Sequence, residues 1–183
     1  MKKIKFYGIG GQGAVTAAKV LSEAVSLFEN KYAITVPAYG HERRGAPVYA
    51  HIIVDDAPVL LNCYVYEPDV ILIMDDALLD KGVDVFEGCS ESTVCVLNTD
   101  DPAKAERYRA GFPFAAFYCC DGTGIAKETL GLNIPNSAML GALAKTGIVS
   151  IEAMEAAVLD SFGKVGQKNA RTARAAYERT YRA

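Results

Sequence analysis

Lys3-Ile-Lys-Phe-Tyr-Gly-Ile-Gly-Gly-Gln-Gly13 decides the fold of this chain. The first five residues read as a short strand, and the residues from Gly11 onward read as the start of a helix. Between them Gly8, Gly10, Gly11 and Gly13 permit a tight turn in which a ligand can touch the backbone. The first N–H groups of a helix have no intrahelical partner, and the helix dipole favours an anion at that end. A phosphate-bearing ligand is therefore the natural guest. The spacing Gly8, Gly10, Gly13 also matches the dinucleotide fingerprint in a strand–turn–helix setting. That fingerprint needs an acidic residue at the end of the second strand. The next strand-like run, Tyr32–Val36, ends in Pro37-Ala-Tyr39. No carboxylate is available there, which argues against NAD or FAD. Glycines that only pack a helix against a strand are the bland alternative.

Downstream, Val15, Ala18, Leu21, Val25 and Phe28 recur at helical steps. Tyr32–Val36 follows as a strand, then the loop from Pro37 to Pro47, then a strand over Val48–Val54. Asp55-Asp56 turns the chain, and Val59–Tyr66 reads as the returning arm of a hairpin. Val70–Met74, Thr93–Leu97 and Phe114–Cys120 are apolar runs suited to a parallel sheet buried on both faces. Each is followed by a polar turn and a stretch read as helical. Asn136-Ser137 and Ser150 read as helix caps in a C-terminal segment that is helical throughout. The fold class expected is α/β: a Rossmann-like, mostly parallel sheet with helices on both faces and a helical C-terminal segment. With 183 residues and no linker or repeat, the chain reads as one domain over 1–183.

Composition narrows the function classes. The net charge is -3 and the pI about 5.4, so the overall field gives no support to nucleic-acid binding. No signal peptide and no apolar run long enough to span a bilayer is visible, and the chain reads as cytoplasmic, with no membrane contact. The five cysteines Cys63, Cys89, Cys95, Cys119 and Cys120 show no C-x-x-C spacing, and only His41 and His51 add imidazoles. A metal site or cluster within this chain is not expected.

A second candidate site is Tyr39-Gly-His-Glu-Arg-Arg-Gly45. Arg43 and Arg44 on a glycine-framed loop can clamp a phosphate or carboxylate, and in a doubly wound sheet this loop would stand beside the glycine turn. A solvated loop, or arginines paired with Glu42, is the structural alternative. No nucleophile elbow, Walker motif or Cys–His pair is present.

Gly8-Ile-Gly-Gly-Gln-Gly13, Tyr39-Gly-His-Glu-Arg-Arg-Gly-Ala-Pro47 and Asn136-Ser-Ala-Met-Leu-Gly-Ala-Leu143 together resemble the gamma subunit of 2-oxoacid:ferredoxin oxidoreductases, from about residue 3 to the C-terminal helices. The stretch after Asn136 is less apolar than the family version. The resemblance implies a subunit that is not catalytic alone. Its enzyme would decarboxylate a 2-oxoacid on thiamine diphosphate, pass electrons through [4Fe–4S] clusters to ferredoxin, and transfer the acyl group to coenzyme A. Thiamine and clusters are then expected in alpha, beta and delta-type partner subunits, with coenzyme A possible near this one. It also implies that Gly8, Gly10, Gly11, Gln12 and Gly13 lie near the cofactor or a subunit junction, and that Arg43 and Arg44 make anion or interface contacts. From the residues alone, a stand-alone nucleotide-binding oxidoreductase or a nucleotide-sensing module stays open.

Overall fold

The computed structural model describes residues 1–38 and 45–183. The apolar runs become the strands of one seven-stranded sheet: β1 (Lys2–Ile9), β2 (Tyr32–Ala38), β3 (Pro47–Asp55), β4 (Val70–Ile73), β5 (Val94–Asn98), β6 (Ala116–Cys120) and β7 (Tyr181–Arg182), in the order β2-β3-β1-β4-β5-β6-β7. β1, β4, β5 and β6 are mutually parallel. β3 runs against both β1 and β2, and β7 runs against β6.

The two-residue period of the strands divides the core in two. On one face Ile4 and Phe6 of β1, Leu72 of β4 and Val96 of β5 pack under most of the helices. These are α1 (Ala14–Glu23, extended by a π-helical turn over Ala24–Phe28), α3 (Gly122–Leu130), α4 (Asn136–Ala144), α5 (Ile151–Ser161) and α6 (Gly166–Arg179). On the other face Tyr7, Ile71, Ile73, Cys95, Leu97 and Phe117 pack against α2 (Pro102–Gly111) through Ala105 and Tyr108. Helices therefore lie on both faces, although unequally.

α4 is buried at every position, as expected for a helix apolar all round. Its Gly141 lies directly against the backbone carbonyl of Ala173 in α6, so no larger residue fits where the two helices cross. Ser150 caps α5 as its sequence position demands, accepting from the Ala153 N–H at 3.2 Å. Asp101 caps α2, with proline at its first turn.

Several expectations are corrected. Val59–Tyr66 pairs with no strand, because β3 already has β1 on one edge and β2 on the other. It crosses the sheet as an irregular strap, and Cys63 within it is exposed. The stretch after Asp75 makes turns, not a helix, and Gly82 at φ +72° ends them. α4 begins at Asn136 itself, with Pro135 at the capping position. The buried stripe of α1 is Ala14, Ala17, Ala18, Val20 and Leu21, rotated from the one through Val15.

Candidate functional site

The glycine turn leaves β1 at its carboxyl end and is bound on three sides. Gly10 donates its N–H to the Ala46 carbonyl at 2.9 Å. The Gln12 side chain folds back, accepting from the Ile9 N–H at 2.9 Å and donating to Asp75 Oδ2 at 2.7 Å. Gly13, at φ +78°, sits before the first residue of α1, where a Cβ would come within 2.7 Å of Asn136 Nδ2. Gly8 is equally confined, since a Cβ would lie 3.0 Å from that of Ala14. Gly11 differs: at φ +103° it faces open space. The bland reading thus accounts for Gly8 and Gly13, which let β1, α1 and α4 approach. Gly11 and the N-terminal end of α1 are what the turn leaves for a ligand.

Beside the turn, a cavity of about 260 Å³ opens outside the carboxyl ends of β1, β4, β5 and β6, where open α/β sheets place their ligands. Its walls come from the polar residues that end each strand. Asn98 is the keystone. Its Nδ2 donates to the Met74 carbonyl at 2.8 Å and to Thr123 Oγ1 at 2.9 Å, and its Oδ1 accepts from the Thr123 N–H at 3.2 Å. One buried amide thereby fixes the ends of β4 and β5 against the start of α3. Thr99 donates to Asp76 Oδ2 at 2.7 Å, and the other oxygen of Asp76 takes Lys104 Nζ at 2.8 Å. That hydrogen bond raises the ammonium of Lys104 above its ordinary pKa. Asp121 is occupied in capping α3, accepting from the Gly124 N–H at 2.7 Å.

Asp75, Asp76, Asp100 and Asp121 outnumber Lys104 and Lys127 around this cavity. The field is set for hydroxyl or amine donors rather than for a phosphate. Among the described residues, no group of three or more His, Cys, Asp or Glu side chains is placed to hold a metal ion.

The structure brings Gln12 to the cavity wall and seats Gly8, Gly10, Gly11 and Gly13 just behind it. Arg43 and Arg44, with Tyr39, His41 and Glu42, lie outside the described residues. Sequence reading missed Asp75, Asn98, Thr99, Asp121 and Thr123 as wall residues. The signal was there: each stands directly after an apolar run, in Met74-Asp-Asp, Leu97-Asn-Thr and Cys120-Asp-Gly-Thr.

On the opposite face of β1 and β3, His51 is 6% exposed. Its Nδ1 accepts the Val65 N–H at 3.1 Å, and its ring packs at a 40° tilt against that of Tyr64, centroids 4.8 Å apart. Burial, and then the Lys5 ammonium, push the imidazole down from 6.5 to about 4, so it is neutral near pH 7. Lys5 lies 4.9 Å from the Tyr7 ring centroid. Burial drives the Tyr7 phenol far above its usual range.

Comparison with known proteins agrees with this architecture. The sequence model of the family described as pyruvate ferredoxin/flavodoxin oxidoreductase matches residues 3–179. The chain is 47% identical over 182 residues to the pyruvate/ketoisovalerate oxidoreductases common subunit gamma of Thermococcus litoralis, covering 98% of this chain and 97% of that one. The crystal structure of pyruvate oxidoreductase subunit PORC from Thermotoga maritima superposes with a TM-score of 0.85 at 34% identity, over 100% of this chain and 99% of that one. A 2-oxoglutarate:ferredoxin oxidoreductase from Magnetococcus marinus, solved with 2-oxoglutarate, coenzyme A and succinyl-CoA bound, shares the fold over 97% of this chain and 30% of its own, with a TM-score of 0.70 at 18% identity. The chain belongs to the pyruvate ferredoxin/flavodoxin oxidoreductase family, as a gamma-type subunit of a multi-subunit 2-oxoacid:ferredoxin oxidoreductase.

Proposed function

We propose that this chain, as a single domain over 1–183, serves a cytoplasmic, thiamine diphosphate-dependent enzyme that oxidatively decarboxylates a 2-oxoacid to an acyl-CoA and reduces ferredoxin. Its partners are alpha, beta and delta-type subunits, which carry the thiamine diphosphate and the [4Fe–4S] clusters. The gamma chain contributes subunit contacts and borders the coenzyme A region. The observation that carries this reading is the near full-length match to a common gamma subunit, with Gln12 of the glycine turn on the wall of a strand-end cavity.

Coenzyme A brings a thiol that accepts the acyl group. Its two halves make different demands on the residues present. The acidic cavity suits hydroxyl donors and repels phosphates. The open turn at Gly11 and the N-terminal end of α1 suit an anion. Phosphates would therefore be held by the turn formed by Gly8, Gly10, Gly11, Gln12 and Gly13 together with Arg43 and Arg44, and not by the carboxylate-lined wall. No helix in the described residues is long and apolar enough to cross a membrane.

The test is affinity capture of the tagged chain from its native cell extract, followed by assay. Larger chains, iron–sulfur absorbance and viologen reduction dependent on both a 2-oxoacid and coenzyme A are expected together. A panel of oxoacids then names the substrate. A chain that stays monomeric after crosslinking would overturn the subunit reading. Arg43→Ala and Arg44→Ala enzymes with unchanged coenzyme A KM and unchanged assembly would remove the role given to that loop.

A further inference from the structure

The two faces of the sheet are covered unequally. Over β2, β3 and β1, one face is sealed by α1, with Thr35 of β2 bonded to the Ala18 carbonyl. The opposite face there carries no described helix; it is crossed by the strap between β3 and β4, beside the turns from Val83 to Cys89 that pack on Tyr7 and Tyr49. The strap is anchored from below at two points. Val65 is buried with its N–H on His51, and the Tyr66 carbonyl lies directly against Gly88. Around those anchors its large side chains are exposed: Leu60 is 90% exposed, Leu61 49% and Tyr66 72%, while Tyr64, 45% exposed, lays its ring against His51. Tyr32 on the neighbouring edge strand is exposed as well. No charged residue occurs from 57 to 66.

An anchored, charge-free strap with three outward-facing large side chains, Leu60, Leu61 and Tyr66, is costly in water and is a mark of an interaction surface. Aromatic residues held rigidly from behind also lose little conformational freedom on docking, as interface anchors require. The rim indicates the occupant. Asp56, Glu67 and Glu87 border the strap and are exposed. Of the described cations at this face, Lys5 is buried and already paired with Glu87 at 3.7 Å, and Lys3 is half-buried beside Glu67. Two copies meeting strap to strap would set acidic rims against each other. A partner with an apolar patch bordered by lysine or arginine would be complementary.

We propose that the strap from Ala57 to Tyr66, with the adjoining face of β2 and β3, is the docking surface for a neighbouring subunit of the same enzyme whose contact patch is apolar and basic-rimmed. This rests on the subunit reading above and adds the surface and the chemistry of its partner. The face opposite α1 is then covered in the assembly, and the strand-end cavity stays outside the contact.

Cys63 is a built-in reporter, being an exposed thiol within the strap. A short iodoacetamide pulse is applied to the intact enzyme and to the free full-length chain, and Cys63 modification is counted by mass spectrometry. Protection of at least about tenfold is expected in the intact enzyme only. In parallel, Leu60→Lys with Tyr66→Lys should abolish co-purification of the larger chains while leaving the melting curve of the free chain unchanged, since both side chains are exposed. Equal labelling in an intact complex, or normal assembly of the double variant, would overturn the proposal. A free chain that dimerises and protects Cys63 would assign the face to a second copy and overturn it too. Failure to recover any larger chain would sink the subunit reading itself, whereas an intact complex with a freely labelled Cys63 sinks the strap proposal alone.

Discussion

Gln12 and Asp75, 63 residues apart, join the glycine turn of β1 to the carboxyl end of β4 through one hydrogen bond of 2.7 Å. The same Gln12 side chain holds the Ile9 N–H, so a single amide sets both the shape of the turn and its place against the cavity wall. The crevice between β1 and β4 is where the strand order reverses, the usual position of a ligand in such sheets.

Replacing that amide has a signed outcome. Gln12→Ala leaves the Ile9 N–H and one Asp75 oxygen without their partner and should cost about 1–3 kcal/mol. Gln12→Glu sets two carboxylates against each other. Their repulsion raises a folded-state carboxyl pKa, so stability is retained at low pH and lost as pH rises through that value. Urea unfolding at pH 5 and pH 7 checks this: the deficit of Gln12→Glu should grow toward pH 7, and that of Gln12→Ala should not.

Gly13 and Gly11 separate backbone strain from collision. Both have positive φ, yet only Gly13 faces a neighbour, Asn136 Nδ2 at 2.7 Å from a built Cβ. Gly11→Ala should cost about 1–2 kcal/mol, the penalty of a left-handed conformation. Gly13→Ala should cost clearly more. Combining it with Asn136→Ala removes the closest contact but leaves the Cβ of residue 136 at 3.2 Å and the dihedral, so the pair should be non-additive in a double-mutant cycle. Equal losses for the two single variants would contradict the packing role of Gly13.

Asn98→Ala removes the buried amide that ties β4 and β5 to α3. A loss of about 2–3 kcal/mol is expected from partners left unsatisfied in a buried setting. Hydrogen exchange should locate the loosening in the first turn of α3 and at the end of β4, with α5 unaffected.

His51 gives the chain an acid limb. Its folded pKa of about 4 lies below its ordinary 6.5. The unfolded chain therefore binds the proton first, and the stability contributed by the neutral imidazole is complete above about pH 6.5 and lost as pH falls toward 4. The loss approaches about 3 kcal/mol at the low end. His51→Gln should flatten this limb relative to wild type between pH 6.5 and 4.5. An NMR titration placing the His51 pKa near 6.5 in the folded chain would remove the effect.

Much of the frame was legible because the signals were local. Val70–Met74 and Val94–Leu97 are short, apolar without interruption and rich in β-branched residues, which suits a strand covered on both faces. Ser150 and the glycine turn carry their own punctuation. Val59–Tyr66 was misread because its composition suits a strand perfectly well. What it lacks is a vacant sheet edge, and the claim of β2 on that edge of β3 is a tertiary fact. The cavity residues were visible one by one after each strand, but that Asn98 reaches both Met74 and Thr123 depends on strands distant in sequence becoming neighbours.

The burial of α4 on all sides bears on how the protein is made. Its nine residues emerge long before α6, whose backbone closes over Gly141. At about 5–20 residues per second, the interval from Ala144 to Arg179 spans roughly 2–7 s. For that time the face of α4 that α6 will cover stays bare on the nascent chain. A ribosome-associated holdase should engage there, and stalling translation between α4 and α6 should yield an aggregating product, whereas release after α6 should not.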